Sequence, residues 1–413
     1  MKTRIGIDAL GVAVPRRYVE LADLASARGV APEKYLRGLG VREMAVAEPG
    51  EDTVALAALA ARRALAASRI DPRDLGMLVV GTETGVDHAK PVASYVHGLL
   101  ELPRAMRVYD TQHACYGGTA GLMAAVEWIA SGAAGDRAAL VVCSDVARYG
   151  VGTPGEPTQG AGAVAMVVAT NPALVELDVG LSGAASTHVH DFWRPLGARE
   201  AQVDGHYSVQ CYLDALATAY RGWKATAVER DVVRPGGVVS ERLARICYHV
   251  PFCKMARKAH QHVRRCDLED ASAPWDVAQE EARADASFAA QVEPSLGACT
   301  RVGNIYTGSL YLGLAGLLHA DARDLGGKRI GLFSYGSGCT SEFFSGVVAA
   351  RAAERIARAA IDDVLAARER ISVAEYERIM ALPATSPLGA APTDGYRFVG
   401  VSGHQRQYAR PPA

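Results

Sequence analysis

Gln112-His113-Ala114-Cys115-Tyr116-Gly117-Gly118-Thr119-Ala120-Gly121 is a small-residue turn between two segments of opposite character. Residues 107–109 before it read as a strand, and residues 121–130 after it read as a helix. A thiol at a strand-to-helix turn lies near a helix N-terminus, where the dipole favours the thiolate. The glycines let backbone amides crowd around the sulfur without Cβ clashes. That is the setting of a cysteine nucleophile in acyl transfer. It is equally the setting of a small apolar residue filling a βα junction. The turn fixes the local architecture either way: a βα unit with a residue of chemical interest at its crossing.

The same pattern recurs outward from this turn. Apolar runs at 75–80, 139–143, 163–168 and 329–335 read as buried strands. They alternate with Ala- and Gly-rich helical stretches at 53–68, 121–130, 310–318 and 349–367. Apolar strands between amphipathic helices predict an α/β protein with sheets covered on both faces. The strand, small-residue turn and helix around Cys115 are echoed around Gly303-Asn304-Ile305-Tyr306-Thr307-Gly308-Ser309, which suggests a duplicated core. The expected division is a half at 1–172 and a half at 173–413, with a helical insertion at about 205–290. Residues 267–290 read as an acidic, solvated helix, and 383–392 as loop.

The 413 residues are 49% hydrophobic and 22% charged, with 44 Lys plus Arg against 45 Asp plus Glu. A near-zero balance offers no field for nucleic acid or an anionic membrane. Eight cysteines without C-x-x-C spacing provide neither a disulfide framework nor a zinc or redox site. Residues 5–10 read as an opening strand interrupted by Asp8 rather than a signal peptide, and no run of about 18 apolar residues occurs. The expectation is a cytoplasmic protein with no nucleic-acid or membrane partner, no metal and no permanently bound cofactor.

Four further segments carry chemistry. Glu83, in Gly81-Thr82-Glu83-Thr84-Gly85, follows a buried strand, where poor solvation raises a carboxyl pKa towards the acid/base range; a turn or cap carboxylate has the same spacing. His249 lies among apolar residues in Cys247-Tyr248-His249-Val250-Pro251-Phe252, as a satisfied core histidine also would. The run after it holds Lys254, Arg257, Lys258, His260, His262, Arg264 and Arg265. Lys254 and Lys258 share a helix face that suits the phosphates of coenzyme A or an acidic carrier protein, or simply solvent. Asn304 has an amide to donate to a substrate carbonyl, or serves as a turn residue. Ser337, between Gly336 and Gly338 after a strand, exposes backbone N–H groups suited to an oxyanion.

Taken together and in order, these segments resemble 3-hydroxy-3-methylglutaryl-CoA synthases over almost the whole chain. The likeness includes Gly155-Glu156-Pro157-Thr158-Gln159-Gly160 and the tail Gly403-His404-Gln405-Arg406-Gln407-Tyr408. The resemblance implies a thiolase-like fold, two related halves in a five-layered αβαβα sandwich, and a homodimer. It implies Cys115 as the acetyl-carrying nucleophile, Glu83 as the base for the acetyl methyl, and His249 as the group orienting and polarising the acceptor ketone. Asn304 and Ser337 resemble acceptor and oxyanion positions, Lys254 and Lys258 carrier-binding positions, and Thr158 and Ser208 further substrate positions.

Two groups share this constellation. One makes hydroxymethylglutaryl-CoA for the mevalonate pathway from acetyl-CoA and acetoacetyl-CoA. The other performs polyketide β-branching with acyl groups on the phosphopantetheine of acyl carrier protein. The segment Gly338-Cys339-Thr340-Ser341-Glu342-Phe343 is more similar to the second group, so carrier protein is the expected donor and acceptor partner and coenzyme A the alternative. A ketoacyl-carrier-protein synthase III-like enzyme and a silent thiolase-fold binding protein are the other readings. Glu83 with the Tyr248-His249-Val-Pro-Phe context argues against the former, and the intact Cys115, Glu83 and His249 argue against the latter.

Overall fold

The computed structural model describes residues 3–198, 200–272, 274–383, 386 and 395–411. Most of the 383–392 stretch read as loop therefore lies outside the described residues.

A nine-stranded mixed sheet organises the chain. Its strands are β1 (Ile5–Ala13), β2 (Leu75–Gly81), β3 (Arg107–Thr111), β4 (Ala138–Val146), β5 (Ala161–Thr170), β6 (Val175–Ser186), β7 (Arg245–Tyr248), β8 (Arg329–Gly336) and β9 (Thr340–Val348), in the order β7-β8-β9-β6-β1-β5-β4-β2-β3. The seam is the short antiparallel contact of β1 with β6, where Gly6 faces Glu176 and Ile7 faces Val175. Reading outward from it, β1-β5-β4-β2 and β6-β9-β8-β7 follow the same rule. In each half the first strand pairs antiparallel with the last, the last antiparallel with the one before it, and that one parallel with the second. Two topologically equivalent halves thus meet at their first strands, and β3 extends the first half by one edge strand.

Helices complete the layers. Helix α1 (Thr53–Ala67) covers the outer face of β1, β5 and β4, and α3 (Gly205–Glu229) covers β6 and β9. Between the halves lie α2 (Gly117–Ala130) and α6 (Ser309–Leu325), which touch through the Thr119 and Tyr311 hydroxyls at 2.7 Å. The result is the thiolase-like αβαβα sandwich. Because each strand is covered on both sides, alternate residues serve different cores: Met77, Val79 and Val141 point into the shared core around α2, and Leu78, Val80 and Leu140 towards α1. This is why the strands read as continuous apolar runs rather than alternating ones.

Two glycines at equivalent places show how tightly the outer helices sit. A Cβ on Gly11 of β1 would lie 2.3 Å from the Ala60 carbonyl oxygen of α1. A Cβ on Gly183 of β6 would lie 2.1 Å from the Ala219 carbonyl oxygen of α3. Both strands need bare backbone where the helix crosses.

Three local expectations change. The helix after Cys115 starts at Gly117, four residues earlier than the apolar periodicity indicates. The stretch 349–367 is not one helix: Ala352–Ile356 and Ile361–Ala366 are separated by Ala360 at φ 48°. Ile356, Ala359 and Ile361 are all buried there, so packing overrides alanine's helix propensity. The acidic stretch 267–290 spans the end of α4 (Lys254–Ala271) and α5 (Val277–Gln291) and is not wholly solvated. Asp267 is buried beneath the Tyr220 hydroxyl and Lys224, and Glu280 is buried against Arg264.

Gly11→Ala and Gly183→Ala should each destabilise the fold by about 2–3 kcal/mol, because the added methyl meets helix backbone that cannot rotate away. Urea unfolding should show a lower midpoint at an unchanged slope.

Candidate active site

Parallel register sets the first half of the site. Gly81 pairs with Thr111 on one side and with Cys143 on the other. Just beyond this row, β2 delivers Glu83, β4 delivers Asp145 and β3 leads into Cys115. The strand carrying Glu83 reaches the helix after Cys115 only because both are glycine at the crossing: a Cβ on Gly81 would lie 2.4 Å from the Gly118 nitrogen. The outcome is a contact between the Cys115 thiol and Glu83 Oε1 at 3.3 Å. Ala114, at φ 38°, makes the left-handed turn that presents the sulfur, at a cost of about 1–2 kcal/mol.

Burial and charge set the protonation states. Burial first, and the negative Asp145 second, push the Glu83 carboxyl up to about 8; the Cys115 contact and Arg194 partly offset this. The Cys115 thiol is pushed well above its ordinary value by burial and by Glu83. The helix dipole therefore does not leave a resting thiolate, contrary to the sequence expectation: α2 begins only two residues on, and desolvation outweighs it. Asp145 is itself raised by burial, although six donors ease the cost. Its Oδ1 accepts from the Thr82 hydroxyl, the Glu83 and Thr84 N–H groups and the Thr84 hydroxyl. Its Oδ2 accepts from the N–H and hydroxyl of Thr307.

Thr307 belongs to the second half, so Asp145 also draws in the segment holding Asn304. Asn304 is buried, and its Oδ1 accepts from the Tyr306 N–H at 2.9 Å and from the Ser309 hydroxyl at 2.9 Å. Since an N–H can only donate, the amide orientation is fixed and the NH2 end is the one with donors to offer. The Asn304 N–H donates to the Thr158 carbonyl at 3.1 Å, and the Thr158 hydroxyl to the Gly155 carbonyl at 2.7 Å.

Ser337 follows β8. A Cβ on Gly336 would lie 2.4 Å from the His113 carbonyl oxygen and 2.6 Å from the Tyr116 nitrogen, so the Ser337 turn abuts the Cys115 loop. Buried Asp191 anchors that turn by accepting from the Gly338 N–H at 2.9 Å and the Tyr335 hydroxyl at 2.7 Å. The Ser208 hydroxyl is engaged with the same carboxylate at 3.1 Å.

His249 leaves the end of β7, its N–H donating to the Phe333 carbonyl of β8 at 2.7 Å and its carbonyl accepting from the Tyr212 hydroxyl. Burial pushes its imidazole down to about 3, so it is neutral at working pH. Five residues later α4 begins with Lys254, and Lys254 and Lys258 are both exposed. The rest of the basic run is largely structural. His260 contacts the Tyr248 and Ser287 hydroxyls, Arg264 is buried between Glu241 and Glu280, and Arg257 pairs with Asp285.

Asp145, Asp191 and Arg194 were not singled out from the sequence. Arg194 donates to the Glu83 carbonyl oxygen from the short hairpin Phe192–Trp193/Gln202–Val203. For Asp145 a signal existed: a carboxylate ending an otherwise apolar strand, in register with Glu83. Among the described residues, no group of three His, Cys, Asp or Glu could hold a metal, and no helix is long and apolar enough to cross a membrane.

A sulfur in contact with a carboxyl of raised pKa is equipped for thioester and enolate chemistry, and the second half supplies an oriented amide at Asn304 and a neutral imidazole at His249. Comparison with known proteins agrees. The family models for hydroxymethylglutaryl-coenzyme A synthase match at residues 1–173 for the N-terminal part, and at 175–274 and 276–386 for the C-terminal part. The chain belongs to the hydroxymethylglutaryl-CoA synthase family. It is a carbon–carbon bond-forming acyltransferase. The hydroxymethylglutaryl-CoA synthase of Enterococcus faecalis is 36% identical over 377 residues, 91% of each chain. The solved structure of MvaS in complex with 3-hydroxy-3-methylglutaryl coenzyme A is 61% identical with a TM-score of 0.97, covering 100% of both chains. The curacin pathway HMG synthase in complex with holo donor-ACP is 31% identical with a TM-score of 0.88, covering 98% of this chain and 100% of that one. The family thus includes members that meet coenzyme A thioesters and members that meet carrier protein.

If Glu83 works as a base, the condensation rate of pre-acetylated protein should rise with pH through about 8 or somewhat above. The base is the deprotonated form, and acetylation of Cys115 removes the thiol contact that holds the carboxyl down. Glu83→Gln should still take label from acetyl thioester but lose this pH limb and condense about 100-fold or more slowly. Single-turnover measurements at a series of pH values read both steps.

Proposed function

We propose that the protein condenses an acetyl group, held as a thioester on Cys115, with acetoacetyl-CoA, and that coenzyme A delivers both acyl groups. The observation that carries this reading is the Cys115–Glu83 contact at 3.3 Å with the carboxyl held near 8. Once the sulfur is acetylated, the acetyl methyl lies beside that carboxylate. Glu83 removes a methyl proton, and the Ser337 backbone N–H, brought against the Cys115 loop by Gly336, stabilises the thioester oxyanion. The neutral His249 ring and the Asn304 amide donate to the acceptor ketone. As the new carbon–carbon bond forms, Glu83 returns its proton to the alkoxide. Water then cleaves the Cys115 thioester and frees the 3-carboxymethyl product. Thr158 supports the Asn304 backbone, and Ser208 holds the Ser337 turn through Asp191. Lys254 and Lys258, exposed five and nine residues beyond His249, meet the carrier's phosphates.

Coenzyme A is favoured as the carrier by the 61% identical MvaS, whose structure holds hydroxymethylglutaryl-CoA. The second reading, acyl carrier protein in polyketide β-branching, has its support in the Gly338–Phe343 segment and in the curacin synthase complexes.

Purified protein given acetyl-CoA or acetyl carrier protein, each with the matching acetoacetyl acceptor, separates the two readings. The expected result is kcat/KM for acetyl-CoA at least about tenfold the higher, a difference of about 1.4 kcal/mol. A preference of that size for the carrier protein replaces coenzyme A by carrier protein. Labelled acetyl retained on Cys115→Ala would overturn the nucleophile itself.

A further inference from the structure

The last described strands, β10 (Arg397–Ser402) and β11 (Gln405–Ala409), form a hairpin that stands apart from the nine-stranded sheet. The Phe398 N–H docks on the Gly50 carbonyl at 2.9 Å. Two polar side chains of β11 are directed at one residue. Arg406 Nη2 and the Tyr408 hydroxyl both donate to Asp52 Oδ2 at 2.7 Å, and Arg406 Nε donates to the Tyr408 oxygen at 2.9 Å. The guanidinium lies 4.0 Å over the Phe398 ring. The ion pair is largely shielded, with Arg406 and Asp52 side chains 15% and 12% exposed. The other oxygen of Asp52 caps α1 by accepting from the Ala55 N–H.

The next residue carries the contact inward. The Thr53 hydroxyl meets both the carbonyl and the hydroxyl of Thr84 at 2.9 Å. The Thr84 hydroxyl donates to Asp145 Oδ1 at 2.7 Å, and the same oxygen accepts from the Glu83 N–H at 2.9 Å. On the far side of Glu83, its carbonyl is held by Arg194. Asp52, Thr53, Thr84, Arg194 and Arg406 line one cavity of about 300 Å³ behind the Glu83 turn. Asp52 and Thr53 are joined by the chain itself and the remaining links are hydrogen bonds between largely shielded groups, so a shift of Asp52 is passed to the Glu83 turn.

We propose that Arg406 is a positioning residue for Glu83: through Asp52, Thr53, Thr84 and Asp145 the C-terminal hairpin fixes the turn that aims the carboxylate at the Cys115 acetyl group. This rests on the proposed role of Glu83. Without the guanidinium, Asp52 keeps only Tyr408 and the α1 cap, and the start of α1, with Thr53, is held less firmly against the Thr84 turn.

The test uses the full chain, with acetyl-CoA and acetoacetyl-CoA as probes. Arg406→Ala should acetylate Cys115 to the wild-type stoichiometry, with KM for acetoacetyl-CoA unchanged, yet condense about tenfold more slowly, as misplacing a reacting group by a fraction of an ångström does. Arg406→Lys, which keeps a donor and a charge, should recover most of that loss. Tyr408→Phe, which keeps the ring packing and removes one donor, should fall between wild type and Arg406→Ala, and it carries the test if Arg406→Ala does not fold. Acetylation and condensation falling together in these variants, or neither falling, overturns the inference. Glu83→Gln in the same assay distinguishes the two failures. If it condenses normally, the role of Glu83 is wrong; if it is inactive while the Arg406 and Tyr408 variants are normal, only the inference about the hairpin is wrong.

Discussion

Asp145 is a carboxylate buried at the end of an apolar strand, and what keeps it there is six N–H and O–H donors from two segments of chain. A buried carboxylate without such partners is prohibitively costly, and hydrogen bonds to a charged group are worth about 1.5–3 kcal/mol each. The segments supplying them are therefore tied together: the Thr82–Thr84 turn of the first half and the Thr307 turn of the second. Glu83 and Asn304 sit on those same turns. The geometry of the site is thus a by-product of satisfying one buried charge.

The same charge also tunes the chemistry. Asp145 lies near enough to Glu83 to oppose its ionisation, which, with burial, moves an ordinary carboxyl to about 8. A carboxyl of that strength is matched both to taking up a proton and to giving one back near neutral pH. His249, pushed the other way by burial alone, is a neutral imidazole over the same pH range. Burial favours the neutral form of both groups, so it raises the acid and lowers the base, and the like charge of Asp145 adds to the shift of Glu83 alone.

What could be read from the sequence was whatever short-range rules determine. Buried strands, the βα turn at Cys115 and the strand-end position of Glu83 all follow from apolar periodicity and glycine placement. What could not be read depends on partners distant in the chain. Arg264 and His260 looked like a solvated basic face because the residues that bury them, Glu241, Glu280, Ser287 and Phe288, lie elsewhere in the sequence. Asp145 passes unnoticed in the sequence, since nothing local announces Thr307 as its partner. The break at Ala360 follows from which apolar side chains the underlying sheet accepts, a constraint that alanine and arginine propensities do not record. The protonation of Cys115 is illegible for a related reason: a helix N-terminus is visible in a sequence, but the desolvation opposing it is not.

The equivalence of the two halves has an evolutionary consequence. Helices α2 and α6 hold corresponding places, and their starts face each other closely enough that a Cβ on Gly118 would lie 3.0 Å from the Thr307 carbonyl oxygen. An ancestral homodimer of a single half would have presented two identical helix starts across one twofold axis, each with the same loop chemistry. In this chain the two starts differ: one follows a loop that carries a sulfur, and its counterpart follows a loop that carries an amide. The difference between the two starts is thus a broken symmetry, which a pair of identical halves could not hold.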